Sequence, residues 1–141
     1  MRLLEQWDTP FGLAPFADIS DDDFAPALDQ ALQSARAGID AIADNPAPAT
    51  FENTLEAAEA ATTALDQVAS VFYTLAGSVS TPKREDLQRD FAPKLSGFSS
   101  WLYGHAGYFQ RLKTLWDNRD DLGLTSEQTR VLFLQHRDFL R

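Results

Sequence analysis

Residues 50–78 form the stretch that most limits what this chain can fold into. Large apolar residues fall at Phe51, Leu55, Leu65, Val68, Phe72 and Leu75, with Ala58 and Ala69 between them. Steps of three and four residues are the spacing of an amphipathic α-helix. Thr50 is placed to cap its first turn, and Glu52, Glu56 and Glu59 put negative charge where the helix dipole favours it. Asn45-Pro46-Ala47-Pro48-Ala49 sets the start and Gly77 the end. At 1.5 Å per residue such a helix is roughly 40 Å long. It needs partners along both halves, and the flanking segments supply them.

One partner precedes it. Ser20 caps a helix, with Asp23 at its third position as a short capping box. Phe24, Ala27, Leu28, Ala31, Leu32, Ala35, Ile39 and Ile42 then form one apolar stripe, and Pro26 falls in the first turns, where a missing N–H costs little. A third helix opens at Thr81-Pro82 and buries Leu87, Phe91, Leu95, Phe98 and Leu102, with a kink expected at Pro93. Gly104 and Gly107 place a bend near His105. A fourth helix carries Tyr108, Phe109, Leu112, Leu115 and Trp116. Asp120-Asp121-Leu122-Gly123 is a stop. Thr125-Ser126-Glu127 opens a fifth helix with Val131, Leu132, Leu134 and Phe139 on its buried side. The run Val131-Leu132-Phe133-Leu134 has strand character, but the cap before it favours helix. The fifth helix meets no glycine or proline before Arg141, so the chain reads as cut rather than finished.

Residues 1–19 are different. Pro10, Gly12 and Pro15 forbid a continuous helix, while Leu3, Leu4, Trp7, Phe11, Leu13, Phe16 and Ile19 are too apolar for a solvated tail. An extended aromatic arm packed on a helical body is expected. The fold class is all-α, a bundle of about five long antiparallel helices, and 141 residues suit one domain with arm 1–19 and bundle 20–141.

Charge and composition narrow the function. Twelve basic against twenty-one acidic residues give a net charge of −9, which argues against nucleic acid or an anionic membrane as partner. No cysteine is present, so disulfide and thiolate chemistry are excluded. No apolar run approaches the length of a membrane span, and the N-terminus lacks the order of a signal peptide. Cytoplasm is the expected compartment.

Motifs for chemistry are missing. There is no His-Glu-x-x-His, Gly-x-Ser-x-Gly or phosphate-cradling glycine loop. Asp21-Asp22-Asp23 lacks the alternation, glycine and distal glutamate of a calcium loop, so dipole charge explains it better. Glu52, Glu56 and Glu59 lack the Glu-x-x-His partners of a bundle di-metal site, since Leu102 and Phe133 stand three residues before His105 and His136. They read as a solvated face. His105 reads as a hydrogen-bonded packing residue, and His136-Arg137-Asp138 as a chance match to a kinase loop. No catalytic, cofactor-binding or metal-ligating residue is assigned in this chain.

A resemblance adds to this reading. Leu4-Glu5-Gln6-Trp7-Asp8-Thr9-Pro10-Phe11-Gly12-Leu13-Ala14-Pro15-Phe16 and Phe24-Ala25-Pro26-Ala27-Leu28 are similar to the start of bacterial zinc oligopeptidases of the thimet oligopeptidase and peptidyl-dipeptidase (dipeptidyl carboxypeptidase) family. The similarity continues in Ile39-Asp40-Ala41-Ile42-Ala43-Asp44-Asn45-Pro46, in Thr50-Phe51-Glu52-Asn53-Thr54-Leu55-Glu56-Ala57 and in Val71-Phe72-Tyr73-Thr74-Leu75-Ala76-Gly77. It extends through Tyr108-Phe109-Gln110-Arg111-Leu112, Arg119-Asp120-Asp121-Leu122-Gly123-Leu124 and His136-Arg137-Asp138-Phe139. The pieces run in the family's order along essentially the whole chain, and the peptidyl-dipeptidase branch fits best. Gly104-His105-Ala106-Gly107 departs from the family's pattern, which favours asparagine and larger residues there.

The resemblance implies an all-α fold around a deep channel, with the N-terminal helices forming part of a wall that admits short peptides. It also implies a zinc site, His-Glu-x-x-His plus a distal glutamate, far downstream. No residue here corresponds to those ligands, so zinc is expected in a full-length parent and no cofactor in this chain. The implied partners are the missing catalytic domain and short peptide substrates, with self-association expected through apolar surface left uncovered. The competing reading is a free-standing helical interaction module. A small enzyme built from acidic residues and His105 is a third.

Overall fold

The computed structural model describes residues 20–140. The expected arm 1–19 lies outside them. The described residues are all-α: they contain five α-helices and no strand. These are α1 (Phe24–Asp44), α2 (Ala57–Ser78), α3 (Pro82–Tyr103), α4 (Ala106–Asp117) and α5 (Ser126–Phe139).

The starts follow the residues expected to set them. Ser20 Oγ accepts from the Asp22 N–H, and the Asp23 carboxylate accepts from the Ser20 N–H at 3.0 Å, closing a capping box before α1. Thr50 and Asn53 do the same ahead of α2. Thr50 Oγ1 accepts from the Asn53 N–H at 3.0 Å, and Asn53 Oδ1 from the Thr50 N–H at 2.7 Å. Thr81 caps α3 by accepting from the Arg84 N–H, and Thr125 caps α5 in a box with Gln128. Pro93 sits inside α3, whose helix continues through it. Gly123, at φ +67°, turns the chain into α5 in a conformation that costs glycine little.

Three features depart from the sequence reading. On α3 only Phe91 and Phe98 of the expected stripe are buried, while Leu87, Leu95 and Leu102 are half-buried. The turn leading into α2 is a π-helix, Glu52–Glu56, rather than regular α-helix. This turn buries Thr54 and Leu55. The remaining departure is α5, where only Leu132 of the expected stripe is fully buried. Leu134 and Phe139 are half-buried, and Val131 is exposed.

The chain divides into two compact units. Among the described residues the first comprises 20–35 with Thr62–Gly97, the second Arg36–Ala61 with 98–140. In the first unit Phe24, Phe72 and Phe91 are each fully buried and meet as a trio. Phe72 stacks on Phe91 at 4.3 Å between ring centroids, and Phe24 meets Phe72 edge-on at 5.1 Å. Burial of each such ring contributes roughly 1.5–3 kcal/mol.

Ion pairs rim that core. Arg84 Nε bonds Asp21 at 3.2 Å, Lys83 pairs with Asp22, and Lys94 bonds Asp29 at 2.9 Å. Ascending partners along both helices mean that α1 and α3 run parallel here. The pairs Phe72–Phe91 and Leu75–Arg84 descend, so α2 runs antiparallel to them. The Asp29 carboxylate beside Lys94 raises its ammonium above the ordinary lysine value.

The second unit has its own core of Ile39, Ile42, Phe51, Leu55, Tyr108, Leu112, Leu115 and Leu132. Gly38 of α1 lies so close to α2 that a Cβ there would stand 2.5 Å from the Ala61 Cβ. Helices α4 and α5 pack antiparallel, since Tyr108 meets Phe139 while Trp116 meets Phe133. The long α1 to α3 make the fold class that of the sequence reading, whereas α4 and α5 are shorter.

Candidate functional site

The second unit holds the densest polar and aromatic arrangement, and it is built around Arg111. That residue sits in the middle of α4 with its side chain half-buried. Its Nη1 donates to the Asn45 carbonyl at 2.9 Å and the Ala47 carbonyl at 3.1 Å, and its Nη2 donates to Asn53 Oδ1 at 3.1 Å. Asn53 serves three further bonds. Its Oδ1 accepts from the Thr50 N–H and the Thr54 hydroxyl, and its Nδ2 donates to the Pro48 carbonyl at 3.0 Å.

The proline-containing connection has few backbone partners of its own, because prolines donate nothing and the loop forms no ladder. A planar guanidinium with a forked donor set satisfies two of its carbonyls at once. The Arg111 Nε is buried without a partner. The two terminal nitrogens of the guanidinium hold the α1–α2 connection against α4. Three of the stretches that carry the family resemblance, around Asn45, Asn53 and Arg111, meet at this point.

Both histidines lie in the same unit, each in a structural setting. His105 is the N-cap of α4: its Nδ1 accepts from the Tyr108 N–H at 3.1 Å. The other nitrogen therefore carries the proton, and Nε2 donates to Asp40 at 2.8 Å. Both ring nitrogens are engaged in hydrogen bonds. Trp101 stands edge-on to the ring at 5.1 Å, and Arg36 lies over the Trp101 face at 5.8 Å. The sequence reading of His105 as a hydrogen-bonded packing residue is the arrangement found. Its capping role was not read, since histidine is an uncommon N-cap.

His136 is an interior rung of a ring stack between α4 and α5. Phe139 lies parallel to Phe109 at 6.1 Å, Phe109 to His136 at 5.8 Å, and His136 to Trp116 at 5.3 Å, with interplanar angles of 11°, 18° and 13°. The Arg119 guanidinium closes the stack 4.0 Å above Trp116. The resemblance to a kinase loop has no structural counterpart here.

The acidic clusters are also accounted for. Asp21 and Asp22 pair with Arg84 and Lys83, and Asp23 completes the cap. Glu52, Glu56 and Glu59 are exposed. Among the described residues no group of three or more His, Asp or Glu side chains is placed to hold a metal ion. No helix among them is long and apolar enough to cross a membrane.

The described residues define an all-α scaffold with capped helices, rim ion pairs and one arginine-centred staple. Comparison with known proteins gives this scaffold its relatives. Over 138 residues the chain is 31% identical to dipeptidyl carboxypeptidase of Salmonella typhimurium, covering 98% of this chain and 20% of that protein. The Escherichia coli dipeptidyl carboxypeptidase is 31% identical over 137 residues, covering 97% and 20%. Oligopeptidase A of Escherichia coli is 27% identical over 131 residues, covering 93% and 19%. No family model matches the chain. The chain spans about one fifth of the length of the curated relatives it matches. It resembles the N-terminal region of dipeptidyl carboxypeptidases and oligopeptidase A, as a fragment of such an enzyme would.

Proposed function

We propose that residues 1–141 are the N-terminal, non-catalytic helical domain of a cytoplasmic zinc metallopeptidase that cleaves short peptides, with dipeptide release the favoured activity. The observation that carries this reading is the similarity over 98% of the chain to only 20% of a dipeptidyl carboxypeptidase. In this reading the domain forms part of a channel wall that limits access to short, unfolded substrates. The catalytic, zinc-binding and general-base residues lie elsewhere in the parent. Zinc bound there supplies an activated water. The committed hydrogen bonds of His105 and Arg111 support a scaffolding role for this part.

The test is to assay the purified chain for zinc and for hydrolysis of short blocked peptides. The expected result is no stoichiometric zinc and no turnover above buffer. Chelator-sensitive hydrolysis that survives repurification would overturn the reading. Specific capture of a partner by a chain that is complete in itself would support a free-standing interaction module instead.

A further inference from the structure

The proposed parent has a catalytic part, and the surface of this chain bears on where that part rests. Seven large apolar residues are exposed among the described residues, and three of them, Val131, Phe133 and Leu140, are on or directly after α5. None is on α1. At 100° per residue, Phe133 and Val131 mark the two edges of the solvent-facing arc of α5, with half-buried Leu134 between them. Phe133 is 46% exposed and Val131 39%, although Phe133 touches Trp116 at 5.7 Å. The same arc carries Arg130 and Arg137 with Glu127 and Asp138, and Arg137 Nη2 donates to Asp138 Oδ1 at 3.4 Å.

We propose that this outer face of α5, with Trp116 at its margin, is the docking surface for the remainder of the same polypeptide. The inference rests on the reading of the chain as part of a longer peptidase. Relatives about five times as long supply ample chain to cover the face. A covalently linked segment meets the face at an effective concentration that a separate copy does not reach.

The test compares backbone hydrogen exchange across Ser126–Phe139 in the 1–141 chain and in the full-length protein. Exchange on α5 slows by about tenfold or more in the full-length protein, independently of its concentration. In the full-length protein, Val131→Asp with Phe133→Asp abolishes that protection. Because both side chains are exposed, the same pair leaves the circular dichroism of the 1–141 chain unchanged. Equal exchange in the two proteins would overturn the docking proposal while leaving the peptidase reading intact. Protection that vanishes on dilution would overturn it in favour of an interface between copies. Absence of any longer polypeptide would overturn the peptidase reading itself, and the docking proposal with it.

Discussion

Gly38 and Gly97 both lie within helices, and their surroundings give substitution opposite signs. A Cβ at Gly38 would stand 2.5 Å from the Ala61 Cβ, an atom fixed on a helix backbone that cannot swing away. Gly38→Ala gains roughly 1 kcal/mol of helix propensity. It loses about 1–3 kcal/mol to overpacking, and the net expected in urea denaturation is destabilisation. At Gly97 nothing lies within 4 Å of the added carbon, so Gly97→Ala stabilises by roughly 0.5–1 kcal/mol. Tyr108 gives a prediction in pH. Burial pushes its hydroxyl up to about 12 from the ordinary value of 10. A folded-state value raised above the unfolded one means that the contribution to stability is complete below pH 10 and is lost as pH climbs toward 12. The expected size is on the order of 2 kcal/mol. Thermal melts of Tyr108→Phe, which keeps the buried ring, should decline less over that interval than those of the parent chain.

The connection between α1 and α2 is where element-scale stability concentrates. Arg111→Met keeps the apolar stem but removes the donors that serve Asn45, Ala47 and Asn53. Loss of these bonds, above all to the Asn45 and Ala47 carbonyls, is expected to cost about 1–3 kcal/mol, with exchange accelerated across residues 45–53. Arg111→Lys should recover only part of this, since a point charge cannot form the fork. Unchanged stability in both variants would count against the staple. The caps at Ser20, Thr50, Thr81 and Thr125 were legible in the sequence because capping depends on residues two or three apart. The stripe of α1 was legible for a similar reason, as Phe24, Ala27, Leu28, Ala31, Leu32, Ala35, Ile39 and Ile42 are all buried along one side of a regular helix. The Arg111 staple was not, because its partners lie more than fifty residues away. The π-helical turn was hidden too, since one added residue shifts the phase of a stripe without breaking it. On α5 the pattern marked Val131 as buried. Period alone cannot separate a residue that packs within the chain from one held for another surface.

At the scale of the whole molecule, the all-α class followed from three long apolar stripes and the absence of alternating runs. The division into two units did not, because each of the three long helices contributes residues to both. No catalytic motif could be read, and the described residues gather no metal-binding group. The functional reading therefore rests on collinear similarity to peptidases about five times longer. Determining the reading frame beyond codon 141 in the source genome tests that reading most directly. The account predicts an open frame of several times this chain's length that reaches a His-Glu-x-x-His motif. A stop codon directly after Arg141 would contradict it.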